Sequence, residues 1–200
     1  RLNNDAVPTS GNQWTPIGTN SKRFAGTFDG QGHTIGGLYI NNSSQNQGLF
    51  GYIDTSAIVQ NLIVTGSVTT SSTHAGGIVG ASPRNRGNVQ NCGFSGTVTA
   101  RDTNGGVIGG GGRNVSNCWY FKEAGSGAND VCGSSGSSSC IVISSADPMT
   151  TNKLSTLQTN APKTGKVWSW KAGDAYPTLI DPPKTITMQP VFPDCTAVVS

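Results

Sequence analysis

Gly48-Leu49-Phe50-Gly51 returns as Gly77-Ile78-Val79-Gly80 and again as Gly106-Val107-Ile108-Gly109, each step being 29 residues. A period of that size marks a repeat architecture. The words between the phrases repeat in the same order. Val59-Gln60-Asn61-Leu62 is followed by Val89-Gln90-Asn91-Cys92 and then by Val115-Ser116-Asn117-Cys118, and Thr65-Gly66-Ser67-Val68 is echoed by Ser95-Gly96-Thr97-Val98.

The units suit strands. Apolar residues come in short bursts such as Ile58, Val59, Leu62, Ile63 and Val64, rich in β-branched types and bounded by Gly, Ser, Asn and Thr. About 29 residues supply three short strands and three turns, which is one coil of a parallel β-solenoid with coils about 4.8 Å apart. The expected fold is therefore all-β: a parallel β-helix, right-handed by the rule for parallel crossovers, of about four or five coils. Asn61, Asn91 and Asn117 share one phase of the cycle, where stacked amides can hydrogen-bond along a column and fix the register. The glycines Gly48, Gly51, Gly77, Gly80, Gly106 and Gly109 are expected at corners where the backbone needs φ > 0.

An open solenoid end exposes core and strand edges, so aromatic caps are expected at both ends. Trp14 and Ile17 serve at the start; Trp168, Trp170, Tyr176, Pro177 and Leu179 form the closing cluster. Phe24, Phe28 and Ile35 are core candidates in an earlier, degenerate coil. Residues 1–181 are read as one solenoid domain with a Gly/Ser-rich insertion at 122–146, and the one short helix is expected in Asp147 to Thr150 and the following Lys153 to Leu157. Residues 182–200 are read as a linker and extended tail.

Composition limits function. Hydrophobic residues make up 34% and charged residues only 12%, so hydroxyls and amides must form the surface. A net charge of +3 is too small to argue for nucleic acid. No stretch is long enough to span a membrane. No signal peptide is visible, and an opening on Arg1 rather than Met is expected of a processed or trimmed piece. Arg84, Arg86 and Arg113 precede the second and third Val-x-Asn marks and can share one edge. A solvated turn edge is the plain reading, and a small anion site for acidic sugars or sulfate the sharper one. Tyr39 and Tyr52 are possible sugar-stacking rings that partial burial could equally explain.

The chain has five cysteines and no C-x-x-C pair, so metal spacing is absent. Cys132 and Cys140 flank a Gly/Ser loop that a disulfide would close. Cys92 and Cys118 hold the same slot in adjacent coils, where a disulfide and a ladder of two inward thiols are equally natural. Cys195 has no assigned partner. Disulfides would place the chain outside the cytoplasm.

These residues resemble bacterial GLUG-motif proteins, named for the Gly-Leu-aromatic-Gly phrase present here at residues 48–51. Trp14-Thr15-Pro16-Ile17-Gly18, Phe28-Asp29-Gly30-Gln31-Gly32-His33-Thr34-Ile35 and Trp170 through Tyr176-Pro177-Thr178-Leu179 look like the lead-in and ending of that family. The resemblance covers about residues 12–180. The second and third phrases lack the aromatic, which leaves their packing open. The resemblance implies an extracellular or cell-surface module of adhesins and large secreted proteins, and it brings no catalytic residues.

The sequence offers little chemistry. Asp29, Asp54, Asp102, Asp130 and Asp174 fall at different phases and read as turn residues, not as the paired carboxylates of sugar cleavage. His33 and His74 have no partner pattern, and no G-x-S-x-G phrase is present. Thr65 over Ser95 and Thr69 over Thr99 make too short an array for ice binding. The expected function is non-catalytic adhesion or display, with no cofactor or metal. Its partner would be a surface glycan or protein receptor. A pilus or filament subunit contacting its neighbours is the alternative, and a polysaccharide-active β-helix enzyme the third.

Overall fold

The computed structural model describes residues 13–83, 87–111, 114–124, 126–127, 139–159 and 165–182. In chain order the elements are β1 (Thr27–Asp29), β2 (Thr34–Asn42), β3 (Phe50–Tyr52), β4 (Ile58–Thr70), β5 (Ala75–Gly76), β6 (Val79–Ala81) and β7 (Asn88–Thr99). There follow β8 (Asn104–Gly105), β9 (Ile108–Gly110), β10 (Asn114–Lys122), β11 (Ser139–Ile143), α1 (Thr151–Thr159), β12 (Val167–Ser169) and β13 (Thr178–Ile180).

The strands stack coil on coil into a parallel β-solenoid. In the broad sheet, β1 and β2 both pair with β4, which pairs in turn with β7, then β10, then β11, always in parallel. A second sheet runs β3-β6-β9, and a third pairs β5 with β8. The repeat phrases set the register: Phe50 lies beside Val79 and Val79 beside Ile108, while Val59 lies beside Val89 and Val89 beside Val115. The solenoid makes about three turns, fewer than expected. The described part of the lead-in and Phe24 join the solenoid through the isolated bridges Ile17–Phe50 and Phe24–Ile53. At the other end β11, within the stretch expected as an insertion, is a further rung on β10.

Two columns bend the long strands. Asn61, Asn91 and Asn117 stand at φ 55°, 50° and 51°, and Gly66 and Gly96 at 149° and 145°. Asn tolerates the left-handed region better than other side chains with a Cβ. At the second column only Gly fits, because a Cβ on Gly96 would overlap the Gly66 carbonyl. The phrase glycines are not the left-handed corners expected; none of the six has a positive φ. They serve close approach instead. A Cβ on Gly77 would overlap the Phe94 ring, and one on Gly106 the Tyr120 ring.

That contact also settles the packing of the second and third phrases. The first carries its aromatic in Phe50, which meets Phe24 at 4.9 Å and Phe28 at 5.4 Å. In the later coils the ring comes from the broad sheet: Val64 is followed in register by Phe94 and then Tyr120. Phe94 and Tyr120 stack 6.1 Å apart, so the aromatic volume has moved from one wall to the other. The core inside the coils is closed by Leu38, Ile40, Leu49, Ile53, Leu62, Val68, Ile78, Val98 and Val107, all buried.

At the start, Trp14 packs on this core and donates from Nε1 to the Leu49 carbonyl at 2.9 Å, as a cap should; Ile17 is 37% exposed. The closing aromatics lie along the flank rather than across the last coil. Trp168, Leu179, Met149 and Leu157 cover the outward-facing Ile63 of β4, Trp119 of β10 and Ile143 of β11. Trp119 stacks on Tyr176 at 4.8 Å and meets Trp168 edge-on at 5.9 Å. It lies across Gly93, where a Cβ would overlap its ring. Thr150, just before helix α1, accepts at Oγ1 from Lys153 N at 3.3 Å, an N-cap. Among the described residues it is the one helix, close to the position expected.

Candidate functional site

A concave feature of the described surface lies beside the first coil. Residues 15–23 of the lead-in and residues 44–47 wall a cleft of about 620 Å³. Local hydrogen bonds hold both walls. Thr19 Oγ1 accepts from Lys22 N at 3.1 Å, and Thr19 N donates to Lys22 O at 2.9 Å, closing a tight turn. Across the cleft, Asn42 Nδ2 donates to Gln47 Oε1 at 2.9 Å, Gln47 Nε2 to Gln45 O at 2.8 Å, and Thr70 Oγ1 to Ser44 O at 2.6 Å. Asn46 takes a left-handed φ of 59° and is tied to the next coil through Asn46 N to Thr73 O at 3.0 Å.

Arg23 supplies the single formal charge of the lining. Its guanidinium lies over the Tyr52 ring, 4.9 Å from the centroid, a cation–π contact. Asp54 stands 3.6 Å away, beyond the 2.7–2.9 Å usual for a charge-assisted hydrogen bond. Asp54 Oδ1 is also engaged by Thr55 N at 2.7 Å.

The residues singled out in the sequence are scattered. Tyr52 is half-buried on β3 beneath Arg23, whereas Tyr39 is half-buried on β2 in the broad sheet. The two are not brought together as one sugar platform. Arg84, Arg86 and Arg113 lie outside the described residues, as do Cys132 and Cys195. Cys140, on β11, is disulfide-bonded, and its partner is outside the described residues. Cys92 and Cys118 are both free and buried, so no disulfide joins them. In-register parallel strands point the two side chains the same way, not at each other. The thiols form a ladder instead: Cys92 N donates to Cys118 Sγ at 3.4 Å, and each thiol reaches carbonyls of its own coil and the neighbouring one. Burial first, then the neighbouring Cys118, pushes the Cys92 thiol well above its ordinary pKa.

The Asn column makes one rung, Asn91 Nδ2 donating to Asn61 Oδ1 at 3.3 Å; the buried Asn117 side chain makes no hydrogen bond among the described residues, so the expected column stops short of the third coil. A parallel Gln ladder, which the sequence reading missed, runs outside it, with Gln90 Nε2 to Gln60 Oε1 at 2.7 Å. Both end on Asp29, which accepts from Asn61 at 3.0 Å and from Gln60 at 2.9 Å. Burial alone would raise the Asp29 pKa. The Gln31 amide, the Asn61 and Gln60 side chains and the Lys166 charge outweigh it and hold the carboxyl below its ordinary value.

Four other described aspartates are tied into local contacts. Asp102 pairs with Arg101 at 3.2 Å, Asp147 with Lys153 at 2.7 Å and Asp181 with Lys166 at 2.7 Å, while Asp174 accepts from Lys171 N at 3.3 Å. Among the described residues no cluster of three or more His, Cys, Asp or Glu could hold a metal ion, and no helix is long and apolar enough to cross a membrane.

Comparison with known proteins gives partial likenesses. The chain is similar to halomucin of Haloquadratum walsbyi, 36% identical over 115 residues, which cover 54% of this chain and 1% of halomucin. It is also similar to a protein of Evansella cellulosilytica named as a Gly-rich membrane protein, 45% identical over 58 residues, 28% of this chain and 7% of that protein. The chain thus spans a small fraction of either relative. No family profile and no solved structure matches it.

Proposed function

We propose that this chain is a GLUG-type module of the cell surface that displays a rigid β-solenoid and binds surface carbohydrate without cleaving it. The repeat phrases and their order support the GLUG assignment. The observation that carries the function is the way the chain spends its charged groups. The described aspartates close turns, end ladders or pair with a basic neighbour, and no hydrogen bond joins one of them to another. The cleft, by contrast, is lined by Ser, Thr, Asn and Gln residues with Pro16, Gly18 and one cation, Arg23. That is binding chemistry without the paired carboxylates that sugar hydrolysis needs. One relative is named a halomucin and the other a membrane protein, which supports a place outside the cytoplasm.

A rigid solenoid also suits display, because its coils are fixed by continuous ladders and present their faces without an ordering cost. The test is a glycan array on the full chain with a parallel assay for new reducing ends. Binding without release of reducing ends is the expected result. Release that grows with time would overturn the non-catalytic reading. No binding to any glycan would overturn carbohydrate recognition. In that case a solution mass that rises with concentration, and falls back when residues 182–200 are removed, would make the chain a filament subunit.

A further inference from the structure

We propose that the cleft between residues 15–23 and 44–47 is a binding site for an acidic sugar chain, with Arg23 as the partner of a uronate carboxylate. This deepens the display reading and rests on its claim that the module binds carbohydrate.

The lining decides the ligand class. It holds Thr or Ser at four positions and the amide residues Asn20, Gln45 and Asn46, beside Pro16 and Gly18, and no acid. Hydroxyls and amides match the alternating donors and acceptors of a sugar ring. The cleft volume of about 620 Å³ lies in the range of small-molecule sites.

Arg23 selects for charge. Its planar fork can offer two parallel N–H groups to a carboxylate. Nε makes a long bond to Asn20 O at 3.3 Å, and Asp54 is a loose ion partner at 3.6 Å. The Tyr52 ring fixes the plane of the guanidinium from below without using its N–H donors. A sugar carboxylate would therefore meet a cation already oriented. A phosphate, which carries more charge than a carboxylate, is the poorer fit to a lining with a single cation. The walls are preorganised. Gln47 is 5% exposed and bonded on both sides, and Asn46 is locked by its backbone bond to Thr73, so binding orders little.

The experiment is an amide ¹H–¹⁵N titration of the full chain with tetragalacturonate and, separately, with the neutral galactotetraose. The expected result is saturable shifts at residues 19–23 and 44–47 with the acidic chain, at least about tenfold weaker with the neutral one. Raising the salt from about 0.05 to 0.5 M should weaken the acidic chain several-fold, since exposed charges are screened. Arg23→Gln should keep a dispersed spectrum and lose the preference for acid. If that variant does not fold, the wild-type shift map and its salt dependence decide. Shifts confined to other faces, or equal binding of both probes at the cleft, would overturn this site while leaving carbohydrate display standing. Silence with both probes, together with a blank glycan array, would overturn both.

Discussion

Asn61 donates from Nδ2 to Asp29 Oδ1 at 3.0 Å, and this bond ends the amide column of the solenoid on a charge. Each amide in such a ladder needs an acceptor on one side and a donor on the other, so the first rung requires a group that only accepts. An ionised carboxylate is that group. The second oxygen of Asp29 ends the Gln column in the same way, taking Gln60 Nε2 at 2.9 Å.

Stability should therefore fall in acid through this carboxyl. Its folded pKa lies below the ordinary value of about 3.9, so its contribution is complete above that value and is lost as pH falls through the lower, folded pKa. Asp29→Asn places a donor against a donor at Gln60 or Asn61. It should cost about 1 kcal/mol at pH 7, a figure discounted because the group is partly exposed. Urea midpoints at pH 7 and pH 2 check this: the gap between variant and wild type should close at pH 2. A gap of the same size at both values would mean that charge is not the cause.

The Asn column separates backbone strain from hydrogen bonding. Asn91 sits at φ 50° and donates to Asn61 at 3.3 Å. Asn91→Gly keeps the backbone and loses the amide, for a cost of about 1 kcal/mol. Asn91→Ala loses the amide and adds a left-handed penalty of about 1–2 kcal/mol. Chemical denaturation should rank wild type above Gly and Gly above Ala. Ala equal to Gly would show that the turn carries no strain.

Gly77 and Phe94 should behave as one unit. Gly77→Ala drives a methyl into the Phe94 ring and should cost about 3 kcal/mol, the upper part of the overpacking range. Phe94→Leu removes the ring and leaves a cavity, also destabilising. The double variant should be more stable than the sum of the two, because the smaller side chain accepts the methyl. A thermal-denaturation cycle with no coupling would remove the contact as the reason for glycine in the phrase.

These positions were legible in the sequence because a ladder forces the same residue type to recur in the same slot. Asn61, Asn91 and Asn117 announced a column before any coordinates, as did the Gly phrases, although the phrase glycines were given the wrong physical role. Close approach and left-handed backbone leave the same letter in the sequence, and only the packing of Phe94 and Tyr120 tells them apart. Strand β11 was hidden because one short apolar burst, Ile141 to Ile143, follows a Gly/Ser-rich stretch that breaks the period. The cleft was harder still. Arg23 and Asn46 are 23 positions apart in non-repeating lead-in and loop sequence, and no period brings them together. What could have been noticed is that the two stretches flank the first coil and carry hydroxyls and amides with no acid.

The thiol ladder predicts a kinetic signature. Cys92 and Cys118 are fully buried, and burial together with the neighbouring thiol keeps Cys92 protonated near neutral pH. The thiolate is the nucleophile, so iodoacetamide should leave both unmodified in the folded chain and label both in about 6 M guanidinium. Peptide mapping by mass spectrometry places the adducts on Cys92 or Cys118 and so separates them from any other free cysteine of the five. Labelling of either residue under native conditions, at a rate near that of a free thiol, would show that the broad sheet opens around them.

Trp168 should hold the flank to the solenoid. It is 1% exposed, meets Trp119 at 5.9 Å, and donates from Nε1 to the Asn117 carbonyl at 2.8 Å. That carbonyl belongs to a left-handed residue at a strand bend. Trp168→Ala removes the ring and the donor and uncovers Ile63, Ile143 and the Trp119 face, so about 3–5 kcal/mol should be lost. Trp168→Phe restores much of the packing without the donor and should recover more than half of that. Hydrogen exchange tells flank from core: the amides of α1, β12 and β13 should lose protection in Trp168→Ala while those of β4 and β7 keep theirs. Equal loss in both sets would mean that the flank and the coils unfold as one cooperative unit.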